Sequence, residues 1–169
     1  MKRVYIVRHG KSHWDQLDLS DIERPLRKRG IKNSEDMSAH MLDLGWIPDL
    51  ILSSPAVRAY DTAKIFADTL EVRGSSFKVD EKLYLPDFPS LLKFILYLSD
   101  EVESVMIVGH EPSLSNLVNH FLPNNLEKLV TGSLTALTFK TNEWREVSPD
   151  TLHSAVHKNR HNIEGYALL

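Results

Sequence analysis

Two histidines stand where two apolar runs end. Arg8-His9-Gly10 follows Val4-Tyr5-Ile6-Val7, and Gly109-His110 follows Val105-Met106-Ile107-Val108. A strand that ends in a polar turn delivers its last side chains to a surface crevice, so neither histidine reads as core packing. Ser53-Ser54-Pro55, with Arg58 behind it, closes a third apolar run over 50–53 and opens a helix. Together these turns offer two guanidiniums and two imidazoles. Guanidinium forks match phosphoryl oxygens in geometry as well as charge, and the free N–H groups at a helix start add positive potential. Such a site suits a compact oxyanion. An imidazole beside it, with an unperturbed pKa of about 6.5, either donates to an oxygen or attacks phosphorus.

The supply of carboxylates narrows the chemistry. Glu111 is the only acid next to either histidine, too few hard ligands for a magnesium or calcium site. The expected reaction is therefore metal-free phosphoryl transfer through a phosphohistidine, with no cofactor. Gly10 is expected to let backbone pass close to the anion. Ser12 and Lys11 either contact phosphate or merely finish the turn. His153, His157 and His161 recur every four residues and would share one helical face. With no acid or cysteine at ligand spacing beside them, solvated histidines outweigh a metal site. Trp14, Trp46 and Trp144 read as core or rim aromatics, with Trp14 close enough to Gly10 to wall a pocket.

Strand-length apolar segments over 3–7, 50–53, 77–79 and 105–108 alternate with helical patterns. Ala59, Ala63, Phe66, Ala67 and Leu70 share one helical face. Ser54 is the expected N-cap of that helix and Pro55 its first residue. A second helix is expected over about 30–44, ending at Gly45, and a third after Pro112, stopping near Pro123. The alternation predicts a three-layer α/β/α sandwich with a mainly parallel central sheet. Right-handed crossovers then bring the βα turns to one edge, where ligands bind. Toward the end, 134–140 and 143–148 flank Thr141-Asn142 and predict an added antiparallel hairpin.

With 169 residues, 42% of them apolar, one domain over 1–169 with a full core is expected. The absence of cysteine excludes disulfides, thiol nucleophiles and cysteine-ligated zinc. No run approaches the ~20 apolar residues that span a bilayer, and the net charge of −3 has no basic stripe for a nucleic-acid backbone. A cytoplasmic protein with neither membrane nor nucleic acid as partner is expected. Oligomeric state leaves no trace in the sequence.

Arg8-His9-Gly10-Lys11-Ser12, Ser53-Ser54-Pro55 with Arg58 and Thr62-Ala63, and Val108-Gly109-His110-Glu111-Pro112-Ser113-Leu114-Ser115 resemble the histidine phosphatase superfamily, which has a phosphoglycerate mutase-like fold. Arg24-Pro25-Leu26, Gly132-Ser133-Leu134 and the short chain resemble its small SixA-type phosphohistidine phosphatases. The resemblance reaches over nearly the whole chain up to Pro149. It implies that His9 is the phosphorylated nucleophile and that Arg8, Arg58 and His110 hold the phosphoryl oxygens. Mutase-like members carry a general-acid glutamate after the third strand, within a glycine- and tryptophan-bearing motif. That motif is missing from Asp80-Glu81-Lys82-Leu83-Tyr84-Leu85-Pro86-Asp87, where Glu81 and Asp87 are the candidate acids. An alkoxide leaving group needs a proton, whereas imidazole departs neutral if its other nitrogen is protonated.

The expected function is removal of phosphate from phosphohistidine on a protein partner. The alternatives are a phosphatase of small phosphate esters on the same site, an idle phosphohistidine-binding module, and a metal-dependent hydrolase built on the C-terminal histidines.

Overall fold

A computed structural model describes residues 1–169 and folds them around one seven-stranded sheet. The strands are β1 (Lys2–Arg8), β2 (Leu50–Ser53), β3 (Phe77–Val79), β4 (Ser104–Gly109), β5 (Leu134–Phe139), β6 (Leu152–Asn159) and β7 (Asn162–Ala167), in the order β3-β2-β4-β1-β5-β6-β7. β1 to β4 are mutually parallel, and β5 to β7 continue the sheet antiparallel beyond β1. Four helices complete the chain: α1 (Lys28–Asp43), α2 (Val57–Thr69), α3 (Phe88–Leu96) and α4 (Ser113–Phe121).

Successive strand residues face opposite sides of a sheet, and here both sides are covered. Val4, Ile6, Leu52, Val105 and Ile107 pack with Leu91 and Ile95 of α3 and with Leu117 and Phe121 of α4. Tyr5, Val7, Ile51, Met106 and Val108 pack with Met37 and Met41 of α1 and with Ala59, Ala63 and Phe66 of α2. That double burial is why the central strands read as unbroken apolar runs. The result is the expected three-layer sandwich. No helix is long and apolar enough to cross a membrane.

Helix α1 stops in a Schellman turn: Trp46 N donates to Met41 O, Gly45 N donates to Leu42 O, and Gly45 takes φ +67°. Helix α2 starts later than its proline suggested. Ala56 occupies the N-cap position, and Ser54 Oγ accepts the Ala56 N–H at 3.3 Å.

The added antiparallel strands are present, but 143–148 is not one of them. β5 pairs with β6, Leu134 opposite Lys158 and Phe139 opposite Leu152. Between them the chain makes two 3-10 turns, Trp144–Glu146 and Pro149–Thr151. Trp144 explains the difference: it is fully buried, its indole N–H donates to Val102 O at 2.8 Å, and its backbone N–H donates to Asp100 at 2.7 Å. A chain drawn into the core by that ring cannot run on as a strand. The tight hairpin lies further on, where Asn159 Oδ1 accepts the N–H groups of His161 and Asn162 between β6 and β7.

The C-terminal histidines therefore share no helical face. His153 and His157 lie on β6 and His161 in the following turn. His157 is buried with its Nδ1 2.9 Å from Thr135 Oγ1, and no three His, Asp or Glu side chains gather at metal-binding separation.

Candidate active site

β1 and β4 are neighbours in the middle of the sheet, with Arg8 opposite Gly109. Their C-terminal ends therefore set His9 and His110 side by side, ring centroids 5.2 Å apart. β2 lies on the other side of β4, and Ser54 N donates to Val108 O at 3.1 Å. That contact brings Ser54 and the start of α2, with Arg58, to the same edge. The predicted convergence of three turns is thus present in space.

Arg58 is the hub. It is buried, its Nε donates to His9 Nε2 at 3.3 Å, and its Nη2 lies 3.3 Å from His110 Nδ1. A guanidinium only donates, so both of those ring nitrogens carry lone pairs. His9 Nδ1 then holds the ring proton and donates to Gly10 O at 2.8 Å. His110 Nε2 likewise donates to Ser54 Oγ at 2.7 Å. Both unprotonated nitrogens face the Arg58 edge.

Burial lowers the His9 pKa to about 3; the Gly10 hydrogen bond opposes the shift, and His110, Arg58 and Arg8 add to it. Burial, followed by the Arg58 charge, lowers His110 to about 4. His9 is therefore a neutral imidazole with an aimed lone pair at ordinary pH. Arg8 is held through Nη1 by Leu129 O at 2.6 Å, and burial lowers its pKa. Its Nε is buried without a partner. A buried donor left unsatisfied costs about 1–3 kcal/mol.

Gly10 packs tightly against backbone. A Cβ there would stand 2.9 Å from Gly30 O, and one on Gly30 would stand 2.3 Å from Lys11 O. The two glycines let the β1 turn cross the start of α1 backbone against backbone. Gly10 N also donates to Thr62 Oγ1 at 3.0 Å, which ties the turn to α2. Ser12 is buried and accepts from Arg24 Nη1 at 3.2 Å, so its oxygen belongs to the wall of the site. Trp14 is exposed, with the Arg24 guanidinium 3.6 Å above its ring.

Neither candidate acid hydrogen-bonds His9 or His110. Asp87 caps α3, accepting from Ser90 N at 2.8 Å, and that bond holds its carboxyl below the usual range. Glu81 lies exposed on the 3-10 turn Glu81–Leu83.

The carboxylate that is present is one the sequence did not mark. Asp21 comes from a 3-10 turn, Asp21–Glu23. Its Oδ2 accepts from Arg58 Nη2 at 3.0 Å and from Tyr84 OH at 2.6 Å. Its Oδ1 accepts from Arg24 Nε at 3.1 Å and Nη2 at 3.0 Å. Burial opposes ionisation, but the bonds from Tyr84, Arg58 and Arg24 outweigh it and hold the carboxyl at about 2. Tyr84 also meets His110 edge-on at 5.6 Å. Two arginines thus bond one ionised carboxylate beside a nucleophile aimed at Arg58.

A family model described as histidine phosphatase superfamily, branch 1, matches residues 4–84. An uncharacterised chloroplastic protein of Arabidopsis thaliana is 29% identical, covering 86% of this chain and 70% of that one. The phosphohistidine phosphatase SixA of Escherichia coli (strain K12) is 28% identical, covering 79% and 83%. A solved structure of the protein histidine phosphatase SixA complexed with tungstate is 25% identical, with a TM-score of 0.73 over 90% of this chain and 95% of that one.

Proposed function

The chain belongs to the histidine phosphatase superfamily and is SixA-like, and on that premise we propose that it removes phosphate from phosphohistidine on a protein, without a metal ion, through His9. The carrying observation is the orientation of His9: Nδ1–H donates to Gly10 O at 2.8 Å, which leaves the Nε2 lone pair toward Arg58 and the crevice. His9 Nε2 attacks phosphorus, and the P–N bond of the substrate breaks. The substrate imidazole departs neutral because its other nitrogen carries a proton. The new phosphohistidine keeps its Nδ1–H, which donates to Gly10 O, until water attacks phosphorus, the P–Nε2 bond breaks, and phosphate leaves with His9 in its resting form. Arg8 and Arg58 hold the phosphoryl oxygens throughout, and His110 joins them once its Nδ1, facing the dianion, takes up a proton.

The preference for a P–N bond is supported by the lack of a proton donor. Asp21, the carboxylate bonded to Arg58, is held ionised by two arginines and Tyr84, and Asp87 is committed to a helix cap. An alkoxide leaving group suffers most from that lack and imidazole least. SixA-like sequence and fold support the same reading.

Rapid quenching with a phosphodonor tests it. Phosphate should appear on His9, labile to acid and stable to base, and His9→Ala should abolish turnover. A substrate panel under one condition should give a higher kcat/KM for a phosphohistidine protein or peptide than for sugar or glycerate phosphates. Label on His110 would overturn the assignment of His9 as nucleophile, and faster ester hydrolysis crippled by Glu81→Gln or Asp87→Asn would replace this reading with an ester phosphatase.

A further inference from the structure

We propose that Asp21 is a positioning residue that clamps Arg58 and so aims its phosphoryl-binding edge, an inference that rests on the reading of His9, Arg58 and His110 as a phosphoryl site. A guanidinium has two usable forks. Nη1 and Nη2 of Arg58 point to Asp21, donating to its main-chain O at 2.6 Å and to Oδ2 at 3.0 Å. Nε and Nη2 form the other fork and point to His9 Nε2 and His110 Nδ1, each at 3.3 Å. Those two contacts are long for hydrogen bonds. An oxygen placed between the imidazoles would take over that fork without disturbing the Asp21 side.

Asp21 is itself braced from two directions. Arg24 holds Oδ1 through Nε and Nη2, and is fixed in turn by Ser12 Oγ at 3.2 Å, His13 O at 3.1 Å and the face of Trp14. Tyr84 OH, from the segment after β3, holds Oδ2. Arg58 leaves α2 near its N-terminus as a long side chain with four rotatable bonds, and nothing else bonds its Nη1. Without the Asp21 carboxylate only the main-chain O at Nη1 would hold that end, and the fork would swing about that one contact; an arginine held in one geometry loses less entropy on binding an anion.

A bare counter-anion would act oppositely. Its charge beside the crevice would repel an incoming dianion, and removing it would tighten oxyanion binding. The two roles therefore differ in sign. Calorimetric titration with tungstate separates them in the intact chain, using the unaltered protein, Asp21→Asn, Asp21→Ala, Arg58→Ala and the double variant Arg58→Ala/Asp21→Asn.

Arg58→Ala should weaken tungstate on the order of 10²-fold. Asp21→Asn, close in shape but uncharged, should weaken it on the order of tenfold, and Asp21→Ala at least as much. In the Arg58→Ala background Asp21→Asn should change nothing further, because its effect passes through Arg58. Tighter or unchanged binding in Asp21→Asn overturns the clamp while leaving the phosphoryl site intact, and so does an undiminished effect in the Arg58→Ala background. Unchanged binding in Arg58→Ala overturns the site and the clamp together. The Arg58 Nε–H proton resonance gives a second reading without ligand. It should be slowly exchanging in the unaltered chain and lost to exchange in Asp21→Asn; a signal as well protected as before also overturns the clamp.

Discussion

A nucleophile buried next to cations gains a free lone pair at the cost of acid sensitivity. His9 and His110 lie at about 3 and about 4 in the folded chain, against about 6.5 in the unfolded one. The unfolded chain therefore binds more protons across that interval. The stability that depends on keeping both rings neutral is complete above about pH 6.5 and is lost as pH falls through the folded values. His9→Asn should flatten the loss of urea midpoint between pH 6.5 and 4; a slope identical to that of the unaltered chain would show that the ring is not held neutral by burial. A bound dianion reverses the local field, and tungstate should raise the His110 pKa as Nδ1 gains a proton and donates to an oxygen. A nitrogen titration by NMR that shifts downward or not at all would remove His110 from the oxyanion shell. His9, Arg58 and His110 were legible as a group because residue type and strand-end position spoke together. Asp21 and Tyr84 were not. They come from irregular segments without periodicity and meet only across 63 residues of sequence, so nothing local marks the pair. The one hint was an acid shortly before Arg24-Pro25-Leu26.

Elements place these side chains through close backbone contacts, and the tightest is the crossing of the β1 turn over the start of α1. A Cβ on Gly30 would lie 2.3 Å from Lys11 O and 2.8 Å from Lys11 N, both backbone atoms that cannot rotate away. Gly30→Ala should therefore destabilise by about 1–3 kcal/mol, which is roughly 2–12 °C in Tm for a chain of this size. The strain acts on the turn that carries His9, so kcat/KM should fall further than the stability loss alone explains. Full activity at a temperature where the variant remains folded would disprove the coupling. Asp87→Ala offers the contrast: loss of a helix cap should cost about 1 kcal/mol and leave phosphohistidine turnover unchanged. The central strands were readable because burial on both faces makes them continuous apolar runs. The antiparallel strands beyond β5 were not. β7 is largely exposed and reads Asn162-Ile163-Glu164-Gly165-Tyr166-Ala167, while the four-residue spacing of histidines on β6 imitates a helix. Thr141-Asn142 supplied a turn signal, but the buried ring of Trp144 decided the path.

At the scale of the whole molecule, the site is a junction. His9 comes from the end of β1, Arg58 from α2 behind β2, His110 from the end of β4, and Asp21 from the turn before α1. An anion that bonds several of them at once joins segments that are distant in the chain, and it binds only when the sheet is assembled. By linkage, tungstate at 100 times its Kd should stabilise the fold by about 2.7 kcal/mol, a rise in Tm of roughly 5–11 °C. The net charge of −3 works against this at long range, yet surface charges are screened beyond about 10 Å at 0.1 M salt, whereas contacts within the crevice are screened much less. The Tm rise should therefore survive 0.3 M sodium chloride largely intact and disappear in Arg58→Ala. Sulfate at equal concentration serves as the control for general salt effects on burial. A rise that salt abolishes would indicate diffuse attraction to scattered surface cations. One that persists undiminished in Arg58→Ala would place the anion elsewhere on the molecule, because a ligand held at the junction of β1, β2 and β4 cannot be indifferent to the arginine at its centre.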